Sequence, residues 1–250
     1  MLNEISFISL FPQIIDSYLQ ESIIKNALLK NLLTIKNINL RDFSGDPKHH
    51  KVDDIPYGGS TGMVIQVEPV VQALKAINNE DNYTIMLSPS GKTLDMQTLK
   101  RLLSKSRLTL LAGRYEGFDK RVDSYISEKI SIGNYVLTGG ELPMLVLADC
   151  LIRLIPGVLG NSASYHEDSF YNGLLDWDVF TRPQIFDILN VPEVLTSGNH
   201  KLIERWKKRS AIINTLIFKP DILAGYKLNK IEKQILLEYL LEEEKNERTN

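Results

Sequence analysis

The sequence predicts an α/β protein, with a largely parallel sheet over about the first two-thirds of the chain and helices thereafter. Three observations carry this prediction. Apolar runs at residues 83–87 and 108–112 each end at a turn signal and flank a helical stretch at 95–104, the strand-helix-strand rhythm of parallel sheets. Five of the 15 glycines fall between Gly113 and Gly140, where turns and close backbone approach are expected. Beyond residue 198, helical patterns follow one another with no strand signal between them.

In chain order, residues 5–10 read as a buried strand, and residues 14–29 carry helical spacing broken near Glu21. The strand at 83–87, the helix at 95–104 and the strand at 108–112 come next. Residues 130–137 supply another strand pair or a bent strand. Pro143 then opens a helix that Pro156-Gly157 stops. The small, polar run from Gly160 to Ser169 reads as a linker or mobile loop, which divides the chain into domains 1–160 and 171–250 joined by residues 161–170. Helices at 199–217 and 229–241 start at residues able to cap, and Asn229 with Glu232 forms a variant capping box. Residues 242–250 are charged and expected to fray.

Composition narrows the function classes. The 250 residues are 43% hydrophobic and 24% charged, ordinary for a globular protein. A net charge of -2 gives no global attraction for polyanions, so any nucleic-acid contact must use local patches. Such patches occur at Lys48-His-His-Lys51 and at Lys201, Arg205, Lys207, Lys208 and Arg209. Cys150 stands alone, which excludes an intrachain disulfide and fits a reducing compartment. The first residues lack the basic segment of a signal peptide, and the apolar run at 142–154 is too short and too charged to span a bilayer. A cytoplasmic protein without membrane contact is expected.

Several motifs are decoys. Ser90-Gly-Lys-Thr93 ends like a phosphate-binding loop, but Met86 stands where its first glycine belongs. Gly58-Gly-Ser-Thr-Gly62 lacks the glycine order of a dinucleotide site, and His49, His50, His166 and His200 share no metal-ligand spacing.

The glycine loops are the informative feature. Ligands of open α/β sheets gather at the carboxyl ends of strands. Leu87-Ser-Pro-Ser-Gly91, Gly113-Arg-Tyr-Glu-Gly117 and residues 132–140 would converge there. No lysine lies between Ile130 and Gly140, so a pocket of bare backbone, Leu, Ile, Val and Tyr suits a flat heterocycle better than a phosphate cluster.

The order of motifs resembles the bacterial tRNA (guanine-N1)-methyltransferases of the SPOUT superfamily from Ile5 to about Phe218. It rests on Ser9-Leu-Phe-Pro12, Arg41-Asp-Phe43, Val52-Asp-Asp54, Tyr57-Gly-Gly59, Gly62-Met63, Leu87-Ser-Pro89, Gly113-Arg-Tyr-Glu-Gly117 and Ser131-Ile-Gly133. Tyr135-Val-Leu137, Gly139-Gly-Glu-Leu-Pro143, Ile155-Pro-Gly-Val-Leu-Gly160, Glu167-Asp-Ser-Phe170, Thr181-Arg-Pro183 and Ser197-Gly-Asn-His200 continue it. Two departures stand out. Ser60-Thr61 replaces a glycine-proline pair, and Asn134 stands where Asp is common.

The resemblance implies a SPOUT-type, mostly parallel sheet with a deep trefoil knot and a small, all-helical, tRNA-binding C-terminal domain. It implies methyl transfer from S-adenosyl-L-methionine to N1 of the guanosine at position 37 of tRNA, 3′ of the anticodon. It further implies a homodimer whose active site lies between subunits. The cofactor contacts it assigns are Leu87, Pro89, Gly113, Tyr115, Glu116, Gly117, Ile132, Gly133, Asn134, Tyr135, Val136, Leu137, Gly139 and Gly140. Asp168 takes the role of general base and Arg153 that of stabilising charge on guanine O6. Read from the residues alone, Asp168 is a solvated loop carboxylate and Arg153 a partner for its helix dipole. The family's activity is associated with Mg²⁺, with Glu116 and Asp168 as the neighbours considered for such an ion. Two alternatives stay open: a SPOUT enzyme acting on a ribose 2′-OH or another base, and an RNA-binding protein without catalysis.

Overall fold

The computed structural model describes residues 1–59, 61–77, 81–159 and 164–249. Ser60, the boundary expected at Gly160 and residues 161–163 of the expected linker lie outside the described residues. The chain divides into two compact units, Met1–Ser162 and Ala163–Asn250.

The first unit begins with β1 (Glu4–Ser9), followed by α1 (Pro12–Leu19) and α2 (Ser22–Leu29), the break falling at Gln20 and Glu21 as the helical spacing requires. Next come β2 (Thr34–Asn39), the short β3 (Asp53–Asp54) and β4 (Val64–Ile65), and α3 (Val67–Ile77). Then β5 (Asn82–Thr93), α4 (Met96–Leu103), β6 (Arg107–Ala112), β7 (Glu128–Ser131) and α5 (Glu141–Ile152) complete it. The five-stranded sheet runs β2-β1-β6-β5-β7, and every pairing in it is parallel.

Its inner strands are apolar because both faces are covered. Ile8, Met86 and Leu111 pack with Val70 and Ala73 of α3 and with Val122. Phe7, Ile85 and Leu110 are also fully buried, and α5 packs against β1 and β6. Asp95 caps α4, its carboxylate accepting from Thr98 N at 2.7 Å.

Three local expectations need correcting. β7 ends at Ser131, and residues 132–140 form a loop rather than more strand. Gly133 adopts φ +146 there, and Val136 is exposed. The helix expected from Pro143 starts at Glu141, which places the proline in the first turn, where a missing N–H breaks no intrahelical bond. The strand expected at 83–87 runs on to Thr93, so the Ser90-Gly-Lys-Thr93 decoy lies inside β5.

The second unit is not all helical. It carries an antiparallel hairpin of β8 (Ile185–Phe186) and β9 (Leu189–Asn190) before α6 (Glu193–Thr196), α7 (His200–Phe218), α8 (Pro220–Gly225) and α9 (Lys230–Thr249). Pairings of Arg205 with Glu238 and Arg209 with Glu242, each at 2.6 Å, tie α7 to α9 and help carry α9 past the expected fraying point. The capping box at its start forms in full. Asn229 Oδ1 accepts from Ile231 N at 2.9 Å and Glu232 N at 3.0 Å, and Glu232 Oε2 accepts from Asn229 N at 2.8 Å. Asn229→Ala is expected to lower stability by about 1 kcal/mol, measured as the shift of the denaturant midpoint.

Candidate active site

The site is built from a bulge within β5 and from the two loops that leave the carboxyl ends of β6 and β7. Leu87 and Lys92 both pair with Ile130, so the Ser88–Gly91 segment is thrown out of the ladder as a bulge. Pro89, which has no N–H to donate, sits in that bulge. At the end of β6, Gly117 N donates to Arg114 O at 3.0 Å and closes a turn in which Tyr115 has φ 58 and Gly117 φ 99. In the third loop, Gly133 N donates to Ser131 Oγ at 3.2 Å and Tyr135 Oη donates to Ile132 O at 3.2 Å. Gly140 N then donates to Gly113 O at 2.7 Å, fastening this loop to the end of β6.

Together the loops enclose a cavity of about 380 Å³. Leu87, Pro89, Gly113, Tyr115, Glu116, Gly117, Ile132, Gly133, Tyr135, Val136, Leu137, Gly139 and Gly140 line it, and Asn134 does not. Backbone and apolar groups dominate this end. Such a lining can stack a planar ring and offer it amide hydrogen bonds.

Several lining residues escaped sequence reasoning. Ser88 and Arg114 lie within the motifs and Thr138 between two of them, all without an assigned role, and Lys120, Asp123 and Lys129 form a charged corner. Lys129 Nζ stands 2.7 Å from Asp123 Oδ1 and Lys120 Nζ 2.5 Å from Oδ2. Hydrogen bonds from Lys120 and then Lys129 hold the Asp123 carboxyl below the usual range. No spacing signal in the sequence brings these three together, because Lys120 and Asp123 come from a 3-10 turn and Lys129 from β7.

Arg153 and Asp168 do not line the cavity. Arg153 caps the C-terminus of α5, its backbone N–H donating to Asp149 O. Asp168 belongs to the second unit, where its carbonyl accepts from Tyr171 N at 3.2 Å. The turn around it has fixed bonds. Ser169 Oγ donates to Asp176 Oδ1 at 2.6 Å, and Phe170 N donates to Leu174 O at 2.6 Å. Helix α7 supports the following segment, with Thr215 Oγ1 accepting from Leu175 N and Ser210 Oγ from Asp178 N, both at 2.9 Å.

The basic patch on α7 is largely engaged inside its own unit. Beyond the Arg205 and Arg209 pairs, Lys207 sits 3.4 Å from Glu204 and 4.3 Å above the Trp177 ring. Lys201 and Lys208 have no ion pair among the described residues. Among the described residues no three His, Cys, Asp or Glu side chains converge, so neither Glu116 nor Asp168 belongs to a cluster that fits a Mg²⁺ ion.

The family model described as tRNA (guanine-1)-methyltransferase TrmD matches residues 3–225. A tRNA (guanine-N(1)-)-methyltransferase of Carboxydothermus hydrogenoformans is 46% identical over 234 residues, covering 93% of this chain and 92% of that protein. Proteins of the same name from Dictyoglomus turgidum and Staphylococcus carnosus are 44% and 42% identical, each over 94% of this chain and over 95% and 97% of their own lengths. Matches of this length and identity, running through both units and every loop of the cavity, place the chain in the tRNA (guanine-1)-methyltransferase family.

Proposed function

We propose that this protein transfers a methyl group from S-adenosyl-L-methionine to N1 of guanosine 37 in tRNA, 3′ of the anticodon. The observation that carries the reading is the cavity at the ends of β5, β6 and β7, lined by bare backbone and apolar side chains in a chain of this family. Leu87, Pro89, Glu116 and Gly117, with the lining residues of the 132–140 loop, would hold the donor. The donor supplies an activated methyl group. The protein must hold that methyl in line with the acceptor nitrogen.

Guanine N1 carries a proton and is a poor nucleophile until the proton leaves. Asp168 is the base we assign to remove it. Docked RNA would have to bring guanine N1 within hydrogen-bond reach of that carboxylate for the proton to pass. Negative charge then spreads to O6, where the Arg153 guanidinium would stabilise it. On this reading the three loops are threaded as a trefoil knot, the first unit binds the donor and the second, from about residue 171, binds tRNA. Two copies would pair so that the site is completed between them. Support for pairing comes from exposed apolar residues on the cavity lining and on α5: Tyr135, Val136, Leu142 and Val146 are 55%, 83%, 55% and 43% accessible. Lys48, Lys51, Lys201 and Lys208 are the cations we assign to phosphate contact, in a cytoplasmic protein. No helix among the described residues is long and apolar enough to cross a membrane.

The test is transfer of tritiated methyl to tRNA followed by nucleoside analysis. 1-Methylguanosine is the expected product, and a transcript with adenosine at the acceptor position should take up no label. Recovery of a 2′-O-methyl nucleoside or another methylated base would overturn the assignment, and donor binding without transfer would favour an RNA-binding protein.

A further inference from the structure

We propose that Glu141 and Arg114 are positioning residues for the cavity, the buried carboxylate of Glu141 fixing Arg114 so that its guanidinium holds the Thr138–Gly140 segment in place. The inference rests on the reading of the cavity as the donor site.

Glu141 is the first residue of α5 and is 1% exposed, although it carries a carboxylate. A charge in that position needs partners from elsewhere in the fold. Ser9 Oγ, at the end of β1, donates to Oε1 at 2.8 Å, and Arg114 Nε lies 2.8 Å from Oε2. The second contact is a charge pair off the axis of a straight hydrogen bond, and neither of its atoms has a hydrogen-bond partner among the described residues. Each therefore depends on the other.

Arg114 carries this restraint into the cavity. Its Nη1 donates to Thr138 O at 3.2 Å, its backbone bridges Gly139, and its guanidinium carbon lies 4.7 Å above the Phe11 ring. Phe11 is in turn fixed by its N–H, which donates to Ser9 Oγ at 2.9 Å. Arg114, Thr138, Gly139 and Gly140 all line the cavity, whereas Ser9 and Glu141 do not. One buried carboxylate thus joins the ends of β1 and β6 to the loop that closes the pocket. It acts through Arg114 rather than by touching a ligand.

The experiment compares Glu141→Gln, Arg114→Gln and the double variant by calorimetric titration with S-adenosylmethionine and by thermal unfolding without it. Arg114→Gln leaves the buried Glu141 carboxylate without its partner and Glu141→Gln leaves the buried Arg114 Nε without one, so both lower the Tm; the double change removes both charges and recovers most of it. If the pair positions the loop, donor Kd rises about tenfold or more in each single variant and stays raised in the double one. Donor affinity that recovers in step with Tm would mean a stabilising role only and would overturn the proposal. Arg114→Lys, which keeps the charge opposite Glu141 but loses the planar fork, covers the case in which the single variants do not fold. It should retain Tm and bind the donor weakly, and wild-type affinity in it would also count against positioning. Wild-type protein that takes up no S-adenosylmethionine is a separate outcome, which defeats the donor reading and this inference with it.

Discussion

Asp168→Asn should reduce methyl transfer by roughly a thousandfold while leaving the affinity for S-adenosylmethionine within about twofold of wild type. The amide matches the carboxylate in shape but cannot accept the N1 proton, so the acceptor stays a poor nucleophile. Donor affinity is spared because the cavity is built from residues of the first unit and Asp168 sits in a turn of the second. That turn should persist, since Ser169 and Asp176 bond each other and α7 holds Leu175 and Asp178 through Thr215 and Ser210. Single-turnover transfer to tRNA and calorimetric donor titration separate the two effects. Unchanged turnover would remove Asp168 as the base, and a matching loss of donor affinity would point to a binding role.

The sequence made the central strands legible because burial on both faces leaves nearly continuous apolar runs. Ile5, Phe7 and Ile8 of β1, and Leu108, Leu110 and Leu111 of β6, are all 0–1% exposed. The edge strand β2 was not assigned. Its Thr34-Ile-Lys-Asn-Ile-Asn39 stretch is mostly half exposed, and Lys36 and Asn37 make it resemble a loop. The reach of β5 past Pro89 was hidden for a different reason, since the bulge puts turn residues inside a strand.

In the site, glycine clustering located the three loops, but it did not say what each glycine is for. Nor could spacing find Arg114 as a brace, because its partner Glu141 is held in turn by Ser9, 132 positions away from Glu141, and the three meet only through the parallel topology. The charged groups on α7 were legible as a run, yet their pairing with Glu238 and Glu242 depends on how α9 packs.

The purpose of one glycine leads to the second large effect. Gly140→Ala should abolish measurable donor binding and lower stability by about 2 kcal/mol, a fall in Tm of roughly 4–8 °C. Its backbone, φ −84 and ψ −4, is one that any residue adopts, so conformational strain is not the reason for glycine there. Space is. A Cβ at this position would lie 2.7 Å from Gly113 N and 2.8 Å from Ala112 Cα, backbone atoms at the end of a central strand that cannot turn aside as a side chain can. The loop would have to retreat, stretching the 2.7 Å bond from Gly140 N to Gly113 O and moving Gly139 and Leu137 out of the cavity's lining. Gly45→Ala is the control, because nothing lies within 4 Å of the added methyl group, and it should change stability by no more than about 0.5 kcal/mol. If Gly140→Ala bound S-adenosylmethionine like wild type, the close approach of this loop to β6 could not be what shapes the cavity.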